Sequence, residues 1–239
     1  LDSNCLRPVV LLIHGGAWIA GSSLDPDIVY FAREFAKRGW FAVTVNYRLG
    51  FHTTDNYTMY ALCNASLAAP CAYVSDSSEV IRANYRGMQD VKGLLRFLSA
   101  RHQVDSTDIG NCFLVGESAG AFIALTTGFT DRTSEKPADC GSIGPAVAPD
   151  PDFANYGCNS SGNALQRPDL GGIDGDLHPG FPSCTIRSVA GFFGGVLDTG
   201  IFVQASSVPS VYIYHQGSDV IVNYDRGRLL GRVSYECFA

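Results

Sequence analysis

The chain has little positive charge. Its 239 residues contain 17 Lys and Arg against 23 Asp and Glu, which gives a formal net charge of -6 at pH 7. Because nucleic-acid binding needs clustered cations that neutralise phosphates, this balance disfavours a nucleic-acid partner. No uninterrupted apolar run reaches the roughly 18 residues that would suggest a transmembrane helix. Hydrophobic residues make up 46% and charged residues 17%, so the composition is that of a globular protein with a sizeable core.

The eight cysteines lack a CxxC spacing, so neither a zinc ribbon nor a redox dithiol is indicated, and no metal site is predicted. Their even number favours disulfides in a secreted protein or in another oxidising compartment. Three N-glycosylation sequons, at Asn56, Asn64 and Asn159, are compatible with secretion when taken as a group. The first residue is Leu1 and not Met, which fits either a removed signal peptide or a trimmed fragment.

Short apolar segments alternate with segments of helical periodicity along most of the chain. The pattern predicts strands at 8–13, 40–45, 111–115, 186–193 and 208–214, and helices at 24–38, 79–98 and 118–128. Strands that are apolar throughout are typical of a parallel sheet covered on both faces. The sequence therefore predicts an α/β fold with a doubly wound, mainly parallel sheet.

Two segments interrupt this alternation, at about 50–77 and 130–185. The second is rich in Gly, Pro, Asp and Asn and contains Cys140, Cys158 and Cys184. A structureless loop of that length is uncommon inside a compact domain, so we expect a cross-linked lid or cap insertion. The domain prediction is a single core over 1–239, incomplete at both ends, that carries these two insertions.

The cysteine pairing stays open at the level of sequence. Cys63 and Cys71 lie in one insertion and are close enough to close a local loop. Cys112 begins a buried strand, where a free thiol can behave as a small apolar group. Sequence alone does not choose among the possible connectivities.

The sharpest chemical signal is the pentapeptide GESAG at 116–120, where a predicted strand passes into a helix. In such a nucleophile elbow the serine backbone is strained, and glycines stand two positions to either side because larger side chains would collide. The turn exposes Ser118 and places the amide of Ala119 at a helix N-terminus, where it can stabilise an oxyanion. Ser118 is the predicted nucleophile.

A second signal, HGGAW at 14–18, directly follows the first predicted strand. A glycine pair at this point lets the backbone curl so that its amides point at a substrate carbonyl oxygen. Gly15, Gly16 and Ala17 are therefore predicted oxyanion donors together with Ala119. His14 is interpreted as a residue that braces the loop and not as a base.

A third signal, HQGSD at 215–219, follows the last predicted strand. An acid at the carboxyl end of a late strand is where a hydrolase of this topology places the residue that orients its histidine. Asp219 is the predicted acid. The chain order is then oxyanion loop, nucleophile and acid.

Together these residues resemble the carboxylesterase and lipase group of α/β-hydrolases. The matching segments are HGGAW at 14–18, NYRLG at 46–50, QDVKGLLRFL at 89–98, GESAG at 116–120 and HQGSD at 215–219. The resemblance implies Ser118 as nucleophile, Asp219 as triad acid, amides of the HGGAW loop and Ala119 as the oxyanion hole, and no cofactor. It also implies that Glu117 is a buried structural acid.

The sequence departs from that pattern in its histidines. The family's catalytic histidine follows the acid, whereas none of the 20 residues after Asp219 is His. Three explanations stay open: the chain is a segment of a longer enzyme, it is a degenerate relative that binds without catalysis, or His178 or His52 serves as base.

The resulting expectation is serine-dependent hydrolysis of carboxylic esters through an acyl-enzyme intermediate. The substrate would be a small-molecule, lipid or carbohydrate ester, and the oligomeric state is left open. The alternatives are a catalytically inactive binding or adhesion module with this fold, and a peptidase of the same fold.

Overall fold

The computed structural model describes residues 6–50, 77–142, 168–202, 208–219 and 221–225. Its strands are β1 (Arg7–Ile13), β2 (Phe41–Val45), β3 (Thr107–Glu117), β4 (Ile186–Phe192) and β5 (Ser210–Tyr214). Its α-helices are α1 (Pro26–Lys37), α2 (Ser77–Asp105) and α3 (Ala119–Phe129), and 3-10 turns occupy Thr133–Glu135, Ala138–Cys140 and Thr199–Phe202.

The chain divides into two compact units. The first comprises Leu1–Gly50, Ala83–Lys136 and Gly171–Gln216, and the second comprises Phe51–Arg82, Pro137–Leu170 and Gly217–Ala239. The prediction of a single core over 1–239 with insertions at about 50–77 and 130–185 stays a prediction, since residues 51–76 and 143–167 lie outside the described part. The same holds for the predicted cysteine-containing lid.

The first unit is built on a five-stranded sheet in the order β2-β1-β3-β4-β5. All four strand pairings in this sheet are parallel. Parallel neighbours must be joined by crossovers, and α1 and α2 provide the crossovers that follow β1 and β2. The predicted mainly parallel α/β architecture is confirmed.

Helices cover both faces of the sheet. On one face, Val10 and Leu12 of β1 pack with Ile28 of α1. On the other, α3 lies so close to β4 that a Cβ on Gly128 would fall 2.5 Å from Val189 Cγ2. Because side chains alternate along a strand, the five buried apolar residues at positions 9–13 serve both layers. These residues are therefore buried on both faces of the sheet, as their continuous apolar sequence predicts.

Two elements are longer than predicted. α2 runs on to Asp105 through polar residues, and Arg101 forms an i,i+4 ion pair with Asp105 in its last turn. β3 begins at Thr107, which pairs with Arg7 of β1. Both extensions are polar, so hydrophobic periodicity does not detect them. Of the helices in the described ranges, none is long and apolar enough to cross a membrane.

The second unit is organised around the buried Arg82. Its guanidinium donates to the carbonyl oxygens of Asp139 at 2.7 Å, Gly141 at 2.9 Å and Pro168 at 2.6 Å, and lies 3.5 Å from the Glu79 carboxylate. Both side chains are almost fully buried. A buried cation with this many oxygen partners fixes the start of α2 against two segments that are distant in sequence.

Candidate active site

Two motifs meet at the carboxyl edge of the parallel sheet. β1 ends at Ile13, directly before the HGGAW loop, and β3 ends at Glu117, directly before Ser118. The register pairs Ile13 with Gly116. Since neighbouring parallel strands end at the same edge, the predicted oxyanion loop and the predicted nucleophile are adjacent.

Ser118 has the backbone conformation of a strained elbow, with φ 50° and ψ -120°. A Cβ on Gly116 would lie 2.1 Å from the carbonyl oxygen of Gly120, and one on Gly120 would lie 2.2 Å from that of Ile13. The Ser118 amide donates to the Phe192 carbonyl at the end of β4, at 2.8 Å. Glycine is therefore required on both sides of the serine, as the elbow interpretation predicts.

The HGGAW loop lies directly against Ser118. A Cβ on Gly15 would fall 3.1 Å from the serine Cβ. Gly16, Ala17 and Trp18 follow with φ values of 105°, 51° and 62°, an unusual run of left-handed residues. Successive residues in such conformations turn their amides towards one side, a geometry that suits an anion.

The amides of the predicted oxyanion donors do not enter the backbone hydrogen bonding of the described loops and turns. Within the described ranges, the amides of Gly15, Gly16, Ala17 and Ala119 donate no backbone hydrogen bond outside helices and strands. Ala119 is the first residue of α3, where a helix leaves its amides unpaired. Gly15 is thus in contact with Ser118, and Ala119 directly follows it, while the oxyanion role of the four residues stays a prediction.

His14 and Tyr47 hold the HGGAW loop in place through its carbonyl oxygens. His14 is 1% exposed, and its Nδ1 lies 2.7 Å from the Gly15 carbonyl oxygen. The Tyr47 hydroxyl donates to the carbonyl oxygens of His14 and Gly15, and it lies 3.1 Å from each of them. This agrees with the interpretation of His14 as a brace. Tyr47 is a residue whose role sequence reasoning missed, although it lies in the NYRLG segment that carries the resemblance.

The rest of the NYRLG segment ties the loop to α2. Arg48 donates from its amide and its Nε to the Asp90 carboxylate, at 2.7 and 2.9 Å. The Gly50 amide donates to the Trp18 carbonyl at 2.8 Å. The Trp18 indole in turn donates to Asn84 of α2 at 3.3 Å. These bonds give the segments at 46–50 and 89–98 a physical role, since both hold the oxyanion loop in place.

Glu117 and Asp27 form a carboxyl pair beside the elbow. Burial, a hydrogen bond with Asp27 and the charge of Asp27 raise the pKa of Glu117 to about 7. Burial raises the pKa of Asp27. Hydrogen bonds from Glu117 and from the Ile28 amide outweigh this effect and hold the pKa below its usual value. One proton is therefore shared, with Glu117 as its carrier. Glu117, expected to be a buried acid, is half-buried.

Asp219 belongs to the second unit. Its Oδ1 accepts the amides of Ile221 at 2.8 Å and Val222 at 2.9 Å, which is an Asx-type turn. This leaves its proposed role as triad acid a prediction.

His102 and His178 have their described contacts with residues of α2. His102 Nδ1 lies 2.8 Å from the Ser99 carbonyl oxygen in the last turns of α2. The His178 ring lies 5.0 Å from that of Phe97, also in the half of α2 that leads to the amino end of β3. Ser118 lies at the opposite end of β3, which disfavours His178 as its base. His52 and the sequon residues Asn56, Asn64 and Asn159 lie outside the described residues.

Comparison with known proteins gives the same picture. Residues 2–56 match the family model described as BD-FAE. Over 114 residues the chain is 27% identical to Gut esterase 1 of Caenorhabditis elegans, a match that covers 48% of this chain and 17% of that protein. A lipase/esterase from Lactobacillus plantarum has a TM-score of 0.50 at 10% identity and covers 94% of this chain and 71% of its own.

The chain resembles α/β-hydrolase esterases. The resemblance inferred from the motifs is confirmed, and the Lactobacillus plantarum structure shows the shared fold. Esterase 2 of Thermogutta terrifontis, phosphorylated by paraoxon, has a TM-score of 0.49 at 14% identity, with 94% of this chain and 64% of its own covered. The chain spans only 17% of the length of Gut esterase 1, so the activity of the whole protein is treated below as a proposal.

Proposed function

We propose that this protein hydrolyses carboxylic esters through an acyl-enzyme formed on Ser118. The observation that carries the proposal is the strained elbow at Ser118 packed against a loop whose predicted donor amides enter no backbone hydrogen bond of the described loops and turns. A strained non-glycine residue persists only where the surrounding structure determines it, and such residues cluster at functional sites. The likeness to esterases selects ester hydrolysis among the reactions that such a site can perform.

In the proposed mechanism the Ser118 hydroxyl attacks the ester carbonyl carbon while a histidine base removes its proton. The carbonyl oxygen gains negative charge, which the amides of Gly15, Gly16, Ala17 and Ala119 stabilise. Collapse of the tetrahedral intermediate expels the alcohol, which takes the proton back from the histidine. Water then attacks the acyl-serine by the same route and releases the acid. Asp219 is proposed to orient the histidine.

The electrostatic support for this mechanism comes from fixed donors and not from a mobile group. Donors that are oriented before the reaction cost no reorganisation when charge develops, and the loss of one typically slows catalysis by about 100- to 1000-fold. Here the orientation is set by Tyr47 and Asn84, which hold the loop through buried hydrogen bonds. The loop is therefore organised before any substrate binds.

The decisive experiment labels the full-length protein with a fluorophosphonate, which reacts with activated serines. Cleavage before aspartate releases peptide 108–130, in which Ser118 is the sole serine. We expect the adduct on this peptide, and turnover of p-nitrophenyl acetate that falls at least about 1000-fold in Ser118→Ala. Ser106→Ala, one residue before β3, is the matched control and should keep full activity.

The opposite result is equally clear. Peptide 108–130 without adduct, together with ester turnover that is absent in the wild type or is unchanged by Ser118→Ala, would rule out the proposed mechanism. Absence of all turnover would then favour a binding module with this fold, whereas cleavage of amide substrates with poor ester turnover would favour a peptidase.

A secreted, glycosylated and disulfide-bonded protein is part of the proposal. Support comes from the even cysteine number and the sequons at Asn56, Asn64 and Asn159. Among the described cysteines, Cys112 and Cys184 are buried free thiols in the structure, and Cys140 is buried. Treatment of the natural protein with a glycosidase that removes N-linked glycans should lower its mass. If the glycosidase leaves the mass of the protein unchanged, the proposal that the protein is glycosylated is wrong.

A further inference from the structure

Two buried cysteines of the first unit lie next to each other, although they are 72 positions apart in the sequence. Cys112 is in β3, and Cys184 lies two residues before the start of β4. β3 pairs in parallel with β4 from Cys112 and Ile186 onward, and the Cys112 amide donates to the Thr185 carbonyl at 3.0 Å. The backbone of the two segments is thus fixed side by side at this point.

The side chains of the two cysteines also share one face of the sheet. Cys184 stands two positions before Ile186, the register partner of Cys112, and a spacing of two returns a side chain to the same face. The two thiols are close enough that each shifts the pKa of the other. Cys184 Sγ is also 3.3 Å from the Leu95 carbonyl oxygen of α2, and Cys112 Sγ is 3.8 Å from that of Ile109.

Both sulfur atoms are enclosed. Cys112 is fully buried and Cys184 is 4% exposed. Interaction with Cys112 lowers the pKa of Cys184, whereas interaction with Cys184 and burial raise the pKa of Cys112. In the folded protein Cys184 is therefore the more acidic thiol of the pair.

We propose that Cys112 and Cys184 form an intramolecular disulfide, which joins β3 to the segment before β4 when the chain folds in an oxidising environment. The register and the contact between the two thiols carry this assignment, and it is independent of the esterase proposal. In the structure Cys112 is a buried free thiol, as the sequence suggests, and the proposal concerns the oxidised protein.

The bond forms by exchange with a small-molecule or protein disulfide, RSSR. The thiolate of one of the two cysteines attacks one sulfur of RSSR, which gives a mixed disulfide and releases the first thiolate. The other cysteine, deprotonated, then attacks the Sγ of the first cysteine and releases the second thiolate. The balance is two cysteine thiols plus RSSR giving one cystine and two RSH. Because both sulfurs become buried, the exchange takes place before β3 and β4 have closed over them.

The test is a peptide map of the full-length protein after expression in an oxidising compartment. The sample is denatured at acidic pH, its free thiols are blocked with N-ethylmaleimide, and it is cleaved before aspartate without reduction. This cleavage isolates Cys112 in peptide 108–130 and Cys184 in peptide 176–197. We expect one linked species of these two peptides, lighter than their sum by two hydrogens and separated by reduction.

The contrary results are distinct. If either peptide carries N-ethylmaleimide as its main form, or is linked to a different cysteine peptide, the proposal is wrong. Cys112→Ala should leave peptide 176–197 alkylated. Cys140→Ala, which changes another buried cysteine, should keep the 108–130 and 176–197 link intact.

The unfolding temperature tests the disulfide independently of the peptide map. Without reductant, Cys112→Ala/Cys184→Ala should unfold at a temperature roughly 5–15 °C below that of the wild type, since the cross-link closes a long loop. With reductant the difference should shrink to a few degrees. A difference that is the same in both conditions would mean that packing and not a covalent bond stabilises this site.

Discussion

The Tyr47 ring lies stacked on the His14 ring, with 4.4 Å between the ring centroids and 17° between their planes. The same tyrosine bonds the two carbonyl groups that precede the left-handed run of the loop. A residue 33 positions away thus determines the direction in which the proposed oxyanion donors point. The contact makes Tyr47 a positioning residue, because it acts on the site through the loop.

Tyr47→Phe tests that role. The change keeps the stacked ring but removes the donor to two carbonyl groups, so we expect the free energy of unfolding to fall by about 1 kcal/mol. In the full-length protein kcat for an ester should fall by roughly 10-fold with little change in KM, because the donors act in the transition state. Tyr30→Phe, at an exposed tyrosine, should change neither quantity. A change in KM alone would contradict the positioning role.

Gly120→Ala tests the close approach of α3 to β1. The added Cβ would lie 2.2 Å from the Ile13 carbonyl oxygen and 2.5 Å from that of His14, and backbone atoms cannot move aside easily. We expect a loss of about 3 kcal/mol in unfolding free energy, measured by urea denaturation. Gly172→Ala is the matched control, because its Cβ would meet nothing within 4 Å. Equal stability of the two variants would show that the elbow is looser than described.

The Glu117–Asp27 pair predicts a pH-dependent stability. Folding raises the Glu117 pKa from 4.5 to about 7, so the folded state holds more protons in that window and stability falls as pH rises through it. Solvent screening at this half-buried site reduces the effect to on the order of 1 kcal/mol. The lowered Asp27 pKa acts in the opposite sense, below pH 3.8.

Glu117→Gln should remove the decline between pH 4.5 and 7 in a series of urea denaturation curves. Glu34→Gln is the control. Hydrogen bonds from Arg38 and Lys37 lower the pKa of Glu34, so this carboxyl group titrates below that window. A decline that survives in Glu117→Gln would have to arise from a different group.

Arg82→Ala tests the centre of the second unit. It leaves the buried Glu79 carboxylate without its cation and three carbonyl groups without their donor, so we expect a loss of about 3–5 kcal/mol. Arg101→Ala breaks an exposed pair with Asp105 and should cost less than about 1 kcal/mol. Hydrogen exchange at the start of α2 would locate the loss. Unchanged protection of that segment in Arg82→Ala would show that the arginine does not organise it.

Much of this architecture follows from local patterns. The apolar run at 9–13 is typical of a strand buried on both faces, and the glycines around Ser118 mark a turn that only small residues allow. The roles of Tyr47 and Asp27, and the contact between Cys112 and Cys184, could not be predicted in this way. Each depends on which distant segments become neighbours, and periodicity carries no information about that pairing. For Asp219, the role of triad acid still depends on the sequence alone.

The run of left-handed residues at 16–18 has a consequence for the order of folding. Ala17 and Trp18 adopt a backbone conformation that their own preferences oppose, so local and global tendencies conflict at these two positions. The partners that resolve the conflict are Tyr47 and Asn84, which reach the loop from later parts of the chain. The loop can settle only after β2 and α2 have docked. We therefore expect the amides of Ile19 and Ala20, which donate to the Gly16 carbonyl, to become protected from hydrogen exchange late in refolding, after those of β1 and β3.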